Sequence, residues 1–204
     1  WQLVQAILLF LGAPLWVGVL VFGALNAATG GGATTPDGWL AALLLTGFAM
    51  LHAPKLAGYT EVLLRPAIAA RYGGRRAFLG GAVVELGFTL LLDPISIVNK
   101  AIFLARLPFG GGGGWAPQNR ADRGVRWRDA ARLLWPHTGL GLAVFGLLLA
   151  KAPGAALWAL PWAGGLVVAV PFCVLTASPG VSTWLRERRV AATPEELGVA
   201  SARP

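Results

Sequence analysis

Long apolar blocks separated by short charged stretches constrain this chain more than any other feature of its sequence. The first, LVQAILLFLGAPLWVGVLVFGAL at residues 3–25, runs for 23 residues without a charge. At about 1.5 Å per residue, a helix of that length crosses the roughly 30 Å hydrocarbon layer of a bilayer. Pro14 predicts a kink in it, because neighbouring helices can satisfy the freed carbonyl. Of the 204 residues 56% are apolar and 13% charged, about half the charged fraction of a soluble domain. The chain therefore reads as an all-α integral membrane protein.

The formal charge of +8 does not point to nucleic acid, because the basic residues sit directly beside apolar blocks, where anionic lipid and the positive-inside rule account for them. Lys55, Arg65, Arg71, Arg75 and Arg76 face one acid, Glu61, across residues 54–76. Leu56, Tyr59, Leu63 and Leu64 recur there at helical spacing, which predicts an interfacial helix on the cytoplasmic side. Arg120, Arg123, Arg126, Arg128 and Arg132 mark a second cytoplasmic stretch.

An even number of crossings must separate two cytoplasmic stretches. Residues 77–107 then predict a helical hairpin, arms 77–92 and 94–107, turning at Asp93–Pro94; one long helix with an interfacial helix is the rival. The full expectation is a bundle of about six transmembrane helices with amphipathic interfacial helices. Residues 1–53 form a first pair, the second helix ending against Pro54, and 54–76 an interfacial segment. The hairpin at 77–107 follows, then a cytoplasmic glycine-rich loop and amphipathic helix at 108–135, a last pair at 136–177 joined at KAPGA, and a tail at 178–204. Both ends lie in the cytoplasm. Trp1 in place of a start methionine, with no basic leader before the first block, predicts a chain that begins inside a larger protein.

Five glycines, residues 110–114, precede WAPQNR. A phosphate loop needs a lysine and a hydroxyl after its last glycine, and Trp115 stands there instead. The glycines read as a connector or hinge. Behind them Trp115, Gln118, Arg120 and Trp127 offer rings that stack and groups that bind phosphate or carboxylate. In WRDAARLLW, Trp127, Ala130, Ala131 and Leu134 share one helical face and Arg128, Asp129 and Arg132 the other.

Within the apolar blocks Glu85, Asp93 and Lys100 are the notable ionisable residues. A carboxylate facing lipid is costly, so Glu85 is expected to face the bundle or a polar cavity, and a hairpin brings Lys100 within pairing distance of it. His52 and His137 lie far apart with no cluster of carboxylates or thiolates, so no metal site is expected. Cys173, alone in an apolar block, reads as a small buried hydrophobe. No nucleophile–histidine–acid arrangement is evident, and no catalytic residue is assigned.

LHAPKLAG at residues 51–58, VELGFTLLLDPI at 84–95, WAPQNR at 115–120, RWRDAARLLWPHTGLG at 126–141 and ATPEE at 192–196 together resemble the C-terminal membrane region of the glucans biosynthesis glucosyltransferase H family. That resemblance implies a bacterial inner-membrane, processive enzyme that uses UDP-glucose to build the β-1,2-linked backbone of osmoregulated periplasmic glucans. It implies a cytoplasmic GT-A domain upstream of Trp1, which would hold a divalent cation (Mg or Mn), the catalytic carboxylates and the Q-x-x-R-W motif. Arg126–Trp127 lacks the glutamine of that motif, so no catalytic role passes to it, and this stretch alone is expected to be inactive and to need no cofactor of its own. The implied partners are the lipid bilayer, the GT-A domain, UDP-glucose with the growing glucan, and periplasmic glucan-biosynthesis proteins.

Pro54, Lys55, Glu85 and Pro94 fit the family pattern. Trp115, Gln118, Arg120 and Trp127 fit a loop that gates the active site by analogy with cellulose synthase, while the glycine run and Asp93 depart from the pattern. Two readings compete with this one. Half of a secondary transporter or flippase would carry an internal repeat and a broken helix, and a purely structural anchor would tolerate loss of Glu85.

Overall fold

The computed structural model describes residues 1–30, 37–110 and 124–198. Among them the regular structure is helical: α1 (Gln2–Ala28), α2 (Gly38–Leu64), α3 (Pro66–Arg71), α4 (Arg75–Arg106) with a single 3-10 turn after it, α5 (Trp127–Lys151), α6 (Pro153–Val167), α7 (Ala169–Thr176) and α8 (Pro179–Glu187). Four stretches are long and apolar enough to cross a membrane: α1, α2, α4 with its 3-10 turn, and α5. The bent pair α6–α7 makes a fifth if it forms one span. The count is therefore four or five among the described residues, not six.

The difference in count lies at Pro94, and a second proline shifts a helix end. Pro94, expected to turn a hairpin, lies inside the continuous α4 with its side chain fully buried. A proline in a helix removes one N–H and bends the axis, and burial of its ring offsets part of that loss. Each hairpin arm, at about 14–16 residues, would rise only about 21–24 Å, short of the roughly 30 Å to be crossed. Pro54 likewise sits within α2, which runs ten residues past it to Leu64. There the chain does stop, because Pro66 forces Arg65 into an extended conformation (φ −105°, ψ 98°) and then starts α3.

The chain divides into two compact units, with α4 passing from one to the other. One comprises α1, the C-terminal half of α4 and α5–α7. Its core gathers Ile95, Val98, Leu134, Val144, Phe145, Leu148 and Leu166, with Ala24, Ala163 and Ala169 where helices approach closely. Gly141 on α5 faces the backbone of α6: a Cβ there would stand 2.6 Å from the Val167 nitrogen. Gly165 on α6 leaves its Cβ space to the Leu91 carbonyl of α4. Small residues at crossings allow such approach where lipid, not water, surrounds the helices. Outward, Leu8, Leu15, Val19, Phe22, Leu142 and Leu149 are exposed, as lipid-facing positions should be.

At the start of α5, Ala130 and Leu134 are buried as their shared face predicts, while Ala131 and Trp127 of that face are exposed, Trp127 to 58%. The α5–α6 turn is a single residue, Ala152, with Pro153 opening α6. The expected single helix after KAPGA breaks at Val168, with a bend of 58°. Pro171 explains the position: it has no N–H for the Val167 carbonyl, and its ring clashes with it.

The second unit comprises α2, α3, the N-terminal half of α4, α8 and the tail. Asp37 caps α2, its Oδ1 accepting from the Leu40 N–H at 2.8 Å. Gly73 and Gly74, at φ +80° and +98°, make the turn from α3 into α4.

Candidate functional site

Two i,i+4 pairs on facing helices build the site. Lys55 and Tyr59 share one face of α2, and Glu85 and Thr89 share one face of α4. Lys55 Nζ meets Glu85 Oε1 at 2.9 Å and donates to Thr89 Oγ1 at 2.7 Å. Thr89 Oγ1 in turn donates to the Glu85 carbonyl at 2.9 Å. The Tyr59 hydroxyl is buried beside the same carboxylate but outside strict hydrogen-bond geometry. An ammonium, a carboxylate and a phenol thus converge between helices that are otherwise apolar, where each charge needs the other.

Three rings extend this cluster. Phe78 lies between Tyr59, with centroids 6.0 Å apart, and Tyr72, with centroids 5.2 Å apart, edge-to-face with both. The tail closes the arrangement. Arg189 and Ala191 adopt φ of +53° and +55°, a left-handed conformation that costs a non-glycine residue about 1–2 kcal/mol. Ala191 rests on Gly81, where a Cβ would stand 2.9 Å from the Ala191 Cα. The next turn is fastened by a reciprocal pair, the Thr193 N–H donating to Glu196 Oε2 at 3.0 Å and the Glu196 N–H to Thr193 Oγ1 at 3.4 Å. A cavity of about 240 Å³ remains between tail and helices, lined by Tyr59, Tyr72, Phe78, Glu85, Arg189 and Thr193 among others.

The residues expected to matter fall differently from expectation. Glu85 is paired, but with Lys55; Lys100 stands fifteen residues further along the same helix, about four turns away, so the hairpin pairing is overturned. Asp93 and Lys100 are both half-buried on α4, two turns apart on one face. Trp127 opens α5. Trp115, Gln118 and Arg120 lie outside the described residues. Just beyond them, Arg126 Nε donates to Asp129 Oδ2 at 2.8 Å, which holds the guanidinium pKa above its ordinary value.

Sequence reasoning passed over Lys55 and Tyr59 as interfacial residues. The signal was available: a glutamate on an apolar helix demands a cation, and Lys55 lies four residues before a tyrosine on an apolar helix face. His52 is buried, its Nδ1 3.0 Å from the Phe48 carbonyl and its ring stacked on Phe48. Among the described residues no three His, Cys, Asp or Glu side chains gather in a metal-binding arrangement.

Long apolar helices with an ion pair set between two of them define a multi-pass membrane protein. Its sequence is similar to proteins named glucans biosynthesis glucosyltransferase H. The Vibrio cholerae serotype O1 protein is 31% identical over 153 residues, 72% of this chain and 20% of the relative. The Caulobacter vibrioides protein is 30% identical over 159 residues, 76% of this chain and 23% of the relative. The Pseudomonas putida protein is 28% identical over 155 residues, 76% and 18%. These similarities link the chain to glucosyltransferase H at the family level, and it spans about a fifth of the length of these relatives. No family model matches it. No solved structure matches it.

Proposed function

We propose that this chain is the membrane-channel and acceptor-platform region of a processive glucosyltransferase that builds the β-1,2-glucan backbone of osmoregulated periplasmic glucans from UDP-glucose. The observation that carries the reading is the similarity to glucosyltransferase H across 72–76% of the chain, within a helical membrane fold. Glu85, Asp93 and Lys100 on α4 provide a polar rim for a hydroxylated polymer where it meets the channel. Trp115, Gln118, Arg120 and Trp127 form a loop that closes over bound UDP-glucose, rings on uracil or sugar and Arg120 on phosphate. A GT-A domain of the same protein would perform the transfer, and a divalent cation held there would supply positive charge for the UDP leaving group.

In this reading the loop faces the cytoplasm, so α4 must contribute an even number of crossings. A single helix does so by lying along the membrane interface. Its 32 residues extend about 48 Å, well beyond the hydrocarbon thickness, and Arg75, Arg76, Glu85, Asp93, Lys100 and Arg106 punctuate it. With α6–α7 as one bent crossing, α1, α2 and α5 complete four, and both ends of the described chain lie on the cytoplasmic side.

The test is incorporation of UDP-[14C]glucose into β-1,2-linked glucan by inner-membrane vesicles carrying the full-length protein. Incorporation is expected, with Gln118→Ala and Arg120→Ala each raising the apparent KM for UDP-glucose at least about tenfold, the scale of one lost charge-assisted contact. Unchanged KM values would remove the gating role. The 58° break between α6 and α7 favours a second reading, half of a transporter or flippase. Vesicles that make no glucan but accumulate solute along an ion gradient would establish that one instead.

A further inference from the structure

We infer that the tail-capped cavity beside Glu85 is a binding site for a neutral, hydroxyl-bearing ring: one pyranose unit, free or at the end of a glycan. The class of ligand rests on the cavity itself; its identity as part of the glucan rests on the function proposed above.

Size sets the first limit. At about 240 Å³ the cavity falls below the roughly 300–1,000 Å³ of sites for drug-sized molecules, which leaves room for one substituted ring. Its walls set the second. Tyr59, Tyr72 and Phe78 supply apolar ring surface suited to the C–H face of a sugar, and Glu85, Arg189 and Thr193 add polar groups to the same lining.

Those polar groups define what the ring must carry. Glu85 engages Lys55 through Oε1, and a carboxylate has further lone pairs to accept from hydroxyl groups. The Tyr59 hydroxyl is buried beside the Glu85 carboxylate without meeting it in full hydrogen-bond geometry, so a ligand hydroxyl can complete its hydrogen bonding. Net charge selects among polar ligands. Lys55 pairs with Glu85, so a cation finds no free anion, while Arg189 in the tail wall adds hydrogen-bond donors that a hydroxyl can meet and that make inorganic phosphate the competitor to test. A polyol needs no free anion and uses the donors and acceptors that remain.

The tail makes the site conditional. Arg189, Ala191 and Thr193 form one wall, and the left-handed residues Arg189 and Ala191 are held by the fit of Ala191 on Gly81. A Cβ at position 81 would meet the Ala191 backbone and so displace that wall.

The experiment is saturation-transfer NMR on the full-length protein in detergent, with methyl β-D-glucopyranoside and the β-1,2-linked disaccharide sophorose as probes. A catalytic domain offers its own sugar site, so the quantity read is the binding lost in variants. Tyr59→Phe, which keeps the ring, and Gly81→Leu, which displaces the tail, are each expected to weaken one saturable binding component at least about tenfold, the scale of a lost hydrogen bond to a buried group. Leu133→Ala, on the exposed face of α5, is the control. Saccharide binding that both variants leave unchanged, or displacement of the Tyr59-dependent component by inorganic phosphate, would overturn the inference. Glucan synthesis without Tyr59-dependent binding sinks the cavity alone; Tyr59-dependent binding without glucan synthesis sinks the proposed function alone.

Discussion

Around α5–α7 the helices meet through glycines and alanines, whereas α2, the N-terminal half of α4 and the tail meet through an ion pair, three rings and a strap of unusual backbone conformation. The first unit is built by removing side chains until backbones touch. The second is built by placing polar groups between apolar helix faces and pairing them. Apolar close packing leaves few polar groups for a ligand to recognise, so the proposed saccharide site falls in the second unit.

This contrast can be broken at several points. The largest effect is expected from Gly165→Leu, whose side chain must displace the Leu91 carbonyl; loss of at least about 3 kcal/mol is predicted, read as a lower unfolding midpoint in detergent. Glu85→Ala comes next. It strands Lys55, and because the two side chains are 30% and 50% exposed the expected cost is about 1–2 kcal/mol, below that of a fully buried pair. The double variant Lys55→Met with Glu85→Leu should be more stable than either single change, and a double variant worse than both would refute the pairing. Asp37→Ala removes the α2 cap and is expected to cost about 1 kcal/mol. Smallest of all, Asp129→Ala removes only an exposed contact to Arg126 and should leave the midpoint unchanged.

The helices of the close-packed unit were largely readable in advance, because an uninterrupted apolar run leaves a chain few alternatives in a bilayer. Residues 3–25 and the KAPGA turn fall where the pattern puts them. Prolines were the weak point. Pro54 and Pro94 were expected to end or turn helices and are carried inside them, while Pro171 breaks a helix that was expected to continue. A proline's effect depends on which neighbours cover its ring and the freed carbonyl, and that is not local information.

In the polar unit, the need of Glu85 for a cation was legible, but not that Lys55 would supply it. Choosing Lys100 followed from assuming a hairpin. The seat of Ala191 on Gly81 joins residues 110 positions apart, and no periodicity announces such a contact.

The central claim, a membrane platform serving a cytoplasmic catalytic domain, is tested most directly by sidedness. Single cysteines replacing Thr29, Arg71 and Val125 in a Cys173→Ala background would be labelled in intact cells and in inverted vesicles with a membrane-impermeant maleimide. The account predicts that positions 71 and 125 react only from the cytoplasmic side and position 29 only from the opposite one. Labelling of 71 and 125 from opposite sides would mean that α4 crosses once, and would contradict it.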